Sequence, residues 1–206
     1  MSNNANKKVG ILGGTFNPIH IGHLILAEHA LDEYDLDEIM FIPTGVSHFK
    51  DQAIVLNKDI RIIMTELAIK DNPKFVLSTI ETDRPGNSYT CDTLRLLRQE
   101  HPDTDYYLIL GADTLYQIET WKDPDVIMSN AGILAAVRDD KNIEDLKIKA
   151  CELRDKYHTE INILTMPATD ISSTDIRNRV KMGRSIRYMV PESIRKYIED
   201  NNLYRD

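Results

Sequence analysis

The sequence predicts an α/β fold: a doubly wound parallel sheet with helices on both faces and a small C-terminal helical part, forming a single domain over residues 1–206. Short β-rich runs alternate with amphipathic stretches along the chain. The runs are short and largely apolar, as strands covered on both faces are. The length, 206 residues, is about that of one domain and suffices for a sizeable core.

The predicted strands are Val9–Leu12, Ile39–Ile42, Phe75–Ile80, Tyr106–Leu110, Ile133–Val137 and Ile161–Leu164, each bounded by Gly, Pro, Asp or Asn. The clearest helix is Asp59–Lys70, where Ile60, Ile63, Met64, Leu67 and Ala68 fall on one face and Asn57 is placed to cap. Further helices are predicted over Gly22–Tyr34, Thr90–Glu100, Ile143–Tyr157, Thr174–Met182 and Pro191–Asp200, the last opening with proline in its first turn. Gly45–Leu56 exceeds the usual connection length and reads as a lid or binding loop.

Composition excludes several classes. The 25 Lys plus Arg stand against 33 Asp plus Glu, a formal net charge of −8, which is the wrong sign for tracking a nucleic-acid backbone or an anionic membrane. Any anionic ligand must therefore be held by a local site. Two cysteines, Cys91 and Cys151, are too few for a zinc knuckle and suit a reducing cytoplasm. The N-terminus has no apolar core, and nowhere do 18 apolar residues run together, so neither export nor membrane spanning is expected.

Two segments carry chemistry. The first strand runs into Gly13-Gly14-Thr15-Phe16-Asn17-Pro18-Ile19-His20-Ile21-Gly22-His23 and then a helix, a glycine turn beside a helix N-terminus of the kind that binds phosphate. Neither the dinucleotide nor the P-loop glycine pattern is present. With a helix start near Ile19, His20 and His23 project from one face of the first turn toward a phosphate chain. The second segment, Ile171-Ser172-Ser173-Thr174-Asp175-Ile176-Arg177, again follows a strand and opens a helix. Arg177, Arg179, Lys181, Arg184 and Arg187 follow with no intervening acid, which suggests a polyphosphate site. No nucleophile elbow, HExxH or carboxylate cage is seen, so no resident metal site is expected. An anionic phosphate needs no base to act as nucleophile, and positioning with charge neutralisation would suffice.

These segments resemble the GGTFDPxHxGH and ISSTxxR signatures of the HxGH nucleotidylyltransferases, which have a Rossmann-like sheet. Arg61, Met64 and Ala68, the run Glu81–Leu94, Gly111-Ala112-Asp113 with Trp121, and Arg187–Pro191 narrow the resemblance to bacterial nicotinate-nucleotide adenylyltransferases over nearly the whole chain. The resemblance implies transfer of AMP from ATP to nicotinate mononucleotide in NAD biosynthesis, with Mg2+ brought by ATP, and leaves a homo-oligomer open. It implies catalytic roles for His20, His23 and Arg177, and ATP binding by these with Gly13, Gly14, Thr15, Phe16, Gly111, Asp113, Ile171, Ser172, Ser173 and Thr174. Thr44, His48, Lys50, Ser88, Tyr89, Thr90, Trp121 and Arg138 would meet the mononucleotide, Trp121 by stacking and the amides near Tyr89 and Thr90 through the carboxylate. Asn17 stands where the family more often shows Asp, and Val46-Ser47-His48-Phe49-Lys50 replaces the commoner proline-containing loop.

His20-Ile21-Gly22-His23 also matches the HIGH motif of class I aminoacyl-tRNA synthetases, but 206 residues leave little room for a tRNA-tracking module. A phosphopantetheine adenylyltransferase and a nucleotide sensor without turnover are the other readings. Trp121 with Ser88-Tyr89-Thr90 weighs against the first, and the intact His20, His23 and Arg177 against the second.

Overall fold

The computed structural model describes residues 6–45, 55–137, 143–167 and 169–205. Six strands, β1 (Lys7–Gly14), β2 (Glu38–Pro43), β3 (Phe75–Leu77), β4 (Thr104–Gly111), β5 (Gly132–Val137) and β6 (Ile161–Thr165), pair in parallel in the order β3-β2-β1-β4-β5-β6. The strand order reverses between β1 and β4, so the carboxyl ends of these two strands flank the crevice where open α/β sheets bind ligands.

Eight helices cover the sheet: α1 (Ile21–Glu33), α2 (Lys58–Ile69), α3 (Thr90–Glu100), α4 (Ala112–Gln117), α5 (Pro124–Asn130), α6 (Ile143–Tyr157), α7 (Ser173–Lys181) and α8 (Glu192–Asp200). Leu26, Ala27 and Ala30 of α1, Met64 of α2, Ile176 of α7 and Ile194 of α8 bury with Leu12 and Phe41 against one face. Leu94 of α3, Leu115 of α4, Ile127 of α5 and Leu146 of α6 bury with Ile11 and Ile133 against the other. The apolar strands thus bury both sets of alternating side chains.

Several boundaries differ from the sequence expectation. β3 stops at Leu77 instead of Ile80, because polar groups turn the chain: the Asp83 amide donates to the Thr79 carbonyl at 2.9 Å, and the Thr79 hydroxyl to the Asp83 carboxylate at 2.7 Å. Pro191 is the extended cap of α8, not its first residue, and leaves the Ile194 and Arg195 amides to bond its carbonyl. Helices α4 and α5, six and seven residues long, were not expected. They are shorter than the two turns over which an amphipathic period becomes visible. Asn57 caps α2 as expected, accepting from the Asp59 amide at 3.1 Å.

Candidate active site

The glycine turn leaves β1 at the crevice. Phe16 is buried and takes a left-handed backbone, φ 47°, and its ring crosses Gly14 so closely that a Cβ there would lie 2.8 Å from it. Glycine at 14 therefore has a steric reason. Gly13 and Gly111, at the ends of β1 and β4, have nothing within 4 Å of an added Cβ, so there the missing side chain keeps the crevice open.

His20 stands just before the helix and outside the first turn that a start near Ile19 would give it. It is the extended cap, φ −146° and ψ 170°, since α1 begins at Ile21. The rings of His20 and His23 still meet, at 3.7 Å between centroids, and Phe16 packs edge-on against His23 at 5.1 Å. The His20 amide donates to Nδ1 of His23 at 3.2 Å. A backbone amide can only donate, so the neutral His23 ring carries its proton on Nε2 and offers that N–H as a donor.

The start of α7 is locked onto this turn. Ser172 caps the helix through the Asp175 amide at 3.1 Å, the Ser173 hydroxyl donates to the Pro18 carbonyl at 2.9 Å, and Arg177 donates to the Asn17 carbonyl at 2.9 Å and to the Thr174 hydroxyl at 3.2 Å. Asn17 accepts on its side chain from the Tyr204 hydroxyl at 2.9 Å. Burial pushes the Tyr204 phenol far above its ordinary pKa, against the pull of Arg177 and Arg61, so it stays a neutral donor. Two helix N-termini predicted separately thus face one turn, and Ile171 packs beneath them.

The cation run does not form one site. Arg179 pairs with Asp175 at 2.9 Å. Lys181, Arg184 and Arg187 line a separate cavity of about 570 Å3 with Arg195 and Arg205, past the C-terminal end of α7. Nine helical residues span about 13 Å, which carries these cations away from Ser173.

The acceptor-side residues also gather at the sheet's carboxyl edge. The Thr44 amide donates to the Gly14 carbonyl at 2.8 Å. A Cβ on Gly45 would lie 2.6 Å from the Glu81 carbonyl and 2.7 Å from the Ser88 hydroxyl, so the chain after β2 presses against the approach to α3. Ser88, Tyr89, Thr90, Thr120, Trp121, Lys122 and Ile127 line a cavity of about 380 Å3. Tyr89 caps α3 with extended backbone, and Trp121 is half-buried at the rim. Glu119, just before it, is tied to Lys149 at 2.7 Å and Lys156 at 2.6 Å, which hold its carboxyl down to about 2. Asp113 sits exposed in the first turn of α4, beside Gly111. His48, Lys50 and Arg138 lie outside the described residues. Among the described residues no group of three or more His, Cys, Asp or Glu could hold a metal, and no helix is long and apolar enough to cross a membrane.

Sequence reasoning assigned no role to two buried groups. Glu81 is buried and accepts from the Thr93 hydroxyl at 3.0 Å, which itself accepts from Arg84 at 2.6 Å. Arg61 is 2% exposed. Their sequence signals were a place in the family resemblance, an acid in a turn and a cation on an otherwise apolar helix face. Burial raises the Glu81 pKa above its ordinary value of 4.5, opposed by the Thr93 bond and Arg84. A carboxyl raised on folding binds protons more tightly in the native state, so its contribution to stability falls as pH rises above 4.5. The melting temperature of wild type relative to Glu81→Gln is therefore expected to fall as pH rises through that region, in a thermal-unfolding series; a relative rise would contradict the assignment.

Comparison with known proteins identifies the family. The sequence model of the cytidylyltransferase-like family matches residues 11–179. A probable nicotinate-nucleotide adenylyltransferase from Lachnoclostridium phytofermentans is 46% identical over 198 residues, 96% of this chain and 99% of its own. Another from Thermoanaerobacter sp. is 41% identical over 199 residues, 96% of this chain and 94% of its own. The fold is similar to that of Plasmodium falciparum nicotinic acid mononucleotide adenylyltransferase complexed with NaAD, with a TM-score of 0.79 at 20% identity, covering 96% of this chain and 97% of that one. The chain is thus a member of the cytidylyltransferase-like family and, within it, of the nicotinate-nucleotide adenylyltransferases.

Proposed function

We propose that the chain transfers the adenylyl group of ATP to nicotinate mononucleotide, giving deamido-NAD and pyrophosphate, with the whole chain working as one domain. The observation that carries this reading is the locking of the α7 start onto the glycine turn that leads into α1, through Ser173 on Pro18 and Arg177 on Asn17, beside a cavity of about 380 Å3 at the start of α3. An oxygen of the mononucleotide phosphate attacks the α-phosphorus of ATP, the bond from that phosphorus to the β-bridging oxygen breaks, and pyrophosphate departs with the bonding pair. Magnesium arrives as part of the MgATP substrate.

In this reading Gly13, Gly14, Thr15 and Phe16 line the junction of the two nucleotides. His23, with His20 behind it, donates from Nε2 to charge developing on the leaving phosphates. Thr174 and the unused N–H groups of Arg177 meet the triphosphate, while Ser173 acts through Pro18 by setting the turn. Gly111 and Asp113 border the adenosine, and Trp121 stacks on the pyridine ring. Both cysteines are free, Cys91 buried and Cys151 exposed, which supports a reducing cytoplasm. The test is ATP labelled at its α-phosphorus, incubated with magnesium and nicotinate mononucleotide. The label is expected in the dinucleotide and not in pyrophosphate; label retained in ATP, or released as pyrophosphate, would overturn the reaction.

A further inference from the structure

Arg61 is the largest of the fully buried side chains, and it is a cation. Its guanidinium donates to three carbonyls from three segments: Nη1 to Thr15 at 2.8 Å, Nε to Leu56 at 3.1 Å and Nη2 to Gly45 at 3.4 Å. Thr15 is in the glycine turn. Gly45 and Leu56 stand on either side of residues 46–54, and each is tied to the same turn a second time: Thr44, next to Gly45, donates to Gly14 at 2.8 Å, and the Leu56 amide donates to Asn17 at 3.4 Å. One planar fork therefore fixes the phosphate turn against the chain on its acceptor side.

The charge is as informative as the bonds. Among the described residues no carboxylate pairs with Arg61, and its one electrostatic neighbour is the Tyr204 phenol, kept neutral by burial. Removing a cation from water without a counter-ion is costly, and carbonyl dipoles offset only part of it. Three carbonyls alone could be satisfied by neutral donors. A fixed positive charge beneath a turn that receives phosphates is a preorganised field whose balance comes with the ligand.

We propose that Arg61 is a positioning residue whose guanidinium sets the glycine turn at Thr15 against Gly45 and Leu56, and whose charge is balanced by the phosphates of the bound nucleotides. This rests on the reading of the site as an adenylyl-transfer site.

The test compares wild type with Arg61→Lys and Arg61→Met in three measurements: pyrophosphate affinity by calorimetry at two salt concentrations, melting temperature with and without pyrophosphate, and kcat and KM per folded molecule. An ammonium keeps the charge but cannot span three carbonyls. Arg61→Lys is therefore expected to bind pyrophosphate nearly as wild type does and to lose kcat by about 10²-fold, as a small misplacement of reacting groups does. Arg61→Met is expected to lose that kcat as well as about tenfold in pyrophosphate affinity at low salt, less at high salt, and to be stabilised less by pyrophosphate. Wild-type kcat per folded molecule in Arg61→Lys would overturn the positioning role, and this holds even where Arg61→Met fails to fold. Unchanged pyrophosphate affinity in Arg61→Met would overturn the electrostatic role. If wild type binds pyrophosphate yet turns over no mononucleotide, the function reading fails while the affinity arm still decides the charge.

Discussion

Truncating His23 to alanine is expected to lower turnover by about 10² or more while the protein stays folded, since loss of one preorganised donor to developing charge typically costs about 2.7–4 kcal/mol. His23 is only half-buried, and its Nδ1 accepts from the His20 amide, so Nε2 is the nitrogen that carries the N–H. His20 is 4% exposed and caps the helix. His20→Ala should therefore lose activity together with melting temperature, whereas His23→Ala loses activity with the melting temperature largely kept. His23→Gln returns an N–H donor near the Nε2 position and should recover part of the rate. Steady-state kcat set beside thermal unfolding for the three variants reads this directly; a near-wild-type kcat in His23→Ala would leave that ring a packing partner of Phe16.

The second large effect concerns the acceptor. At the N-terminus of α3 the Thr90 and Cys91 amides belong to a first turn that has no preceding helical carbonyl to bond, and with the helix dipole they present positive potential to the cavity rimmed by Trp121. A carboxylate accepts from these donors, whereas a carboxamide turned the wrong way leaves them unpaired. At least about 10²-fold preference in kcat/KM for nicotinate over nicotinamide mononucleotide is therefore expected. Thr90→Pro tests the amide without breaking the helix: proline suits the first helical position, and Tyr89, at φ −118° and ψ 134°, has the extended backbone that a residue before proline needs. Thr90→Pro should erode the preference and Thr90→Ala should keep it. Trp121→Ala should weaken both mononucleotides in similar proportion, because stacking feels the ring more than its substituent.

The strands and the longer helices were legible because burial on both faces leaves an apolar run and burial on one leaves a 3.6-residue period. The two phosphate-binding helix starts were legible for a related reason, as glycine, serine and histidine fell where strand-like runs met helical ones. What escaped depends on contacts distant in sequence. Arg61 enters the sequence reading only through the resemblance, with Met64 and Ala68, and only the fold brings it Thr15, 46 positions away. The cations from Arg177 to Arg187 read as one patch, and the end of α7 divides them between two places. Spacing alone does not tell whether His20 caps the helix or opens its first turn, and the fold makes it the cap. The short helices around Trp121 are held by α3 and α6, through bonds such as Lys149 to Glu119, more than by any period of their own.

On the proposed function, this site joins ATP to an acidic pyridine mononucleotide. Its most direct test is kcat/KM measured on one preparation, by pyrophosphate release, with nicotinate mononucleotide, nicotinamide mononucleotide and phosphopantetheine as acceptors. The acid is expected to be fastest, the amide slower by about 10²-fold or more, and phosphopantetheine at background. Equal rates with acid and amide would contradict the carboxylate-binding helix start, and a higher rate with phosphopantetheine would contradict the acceptor assignment altogether.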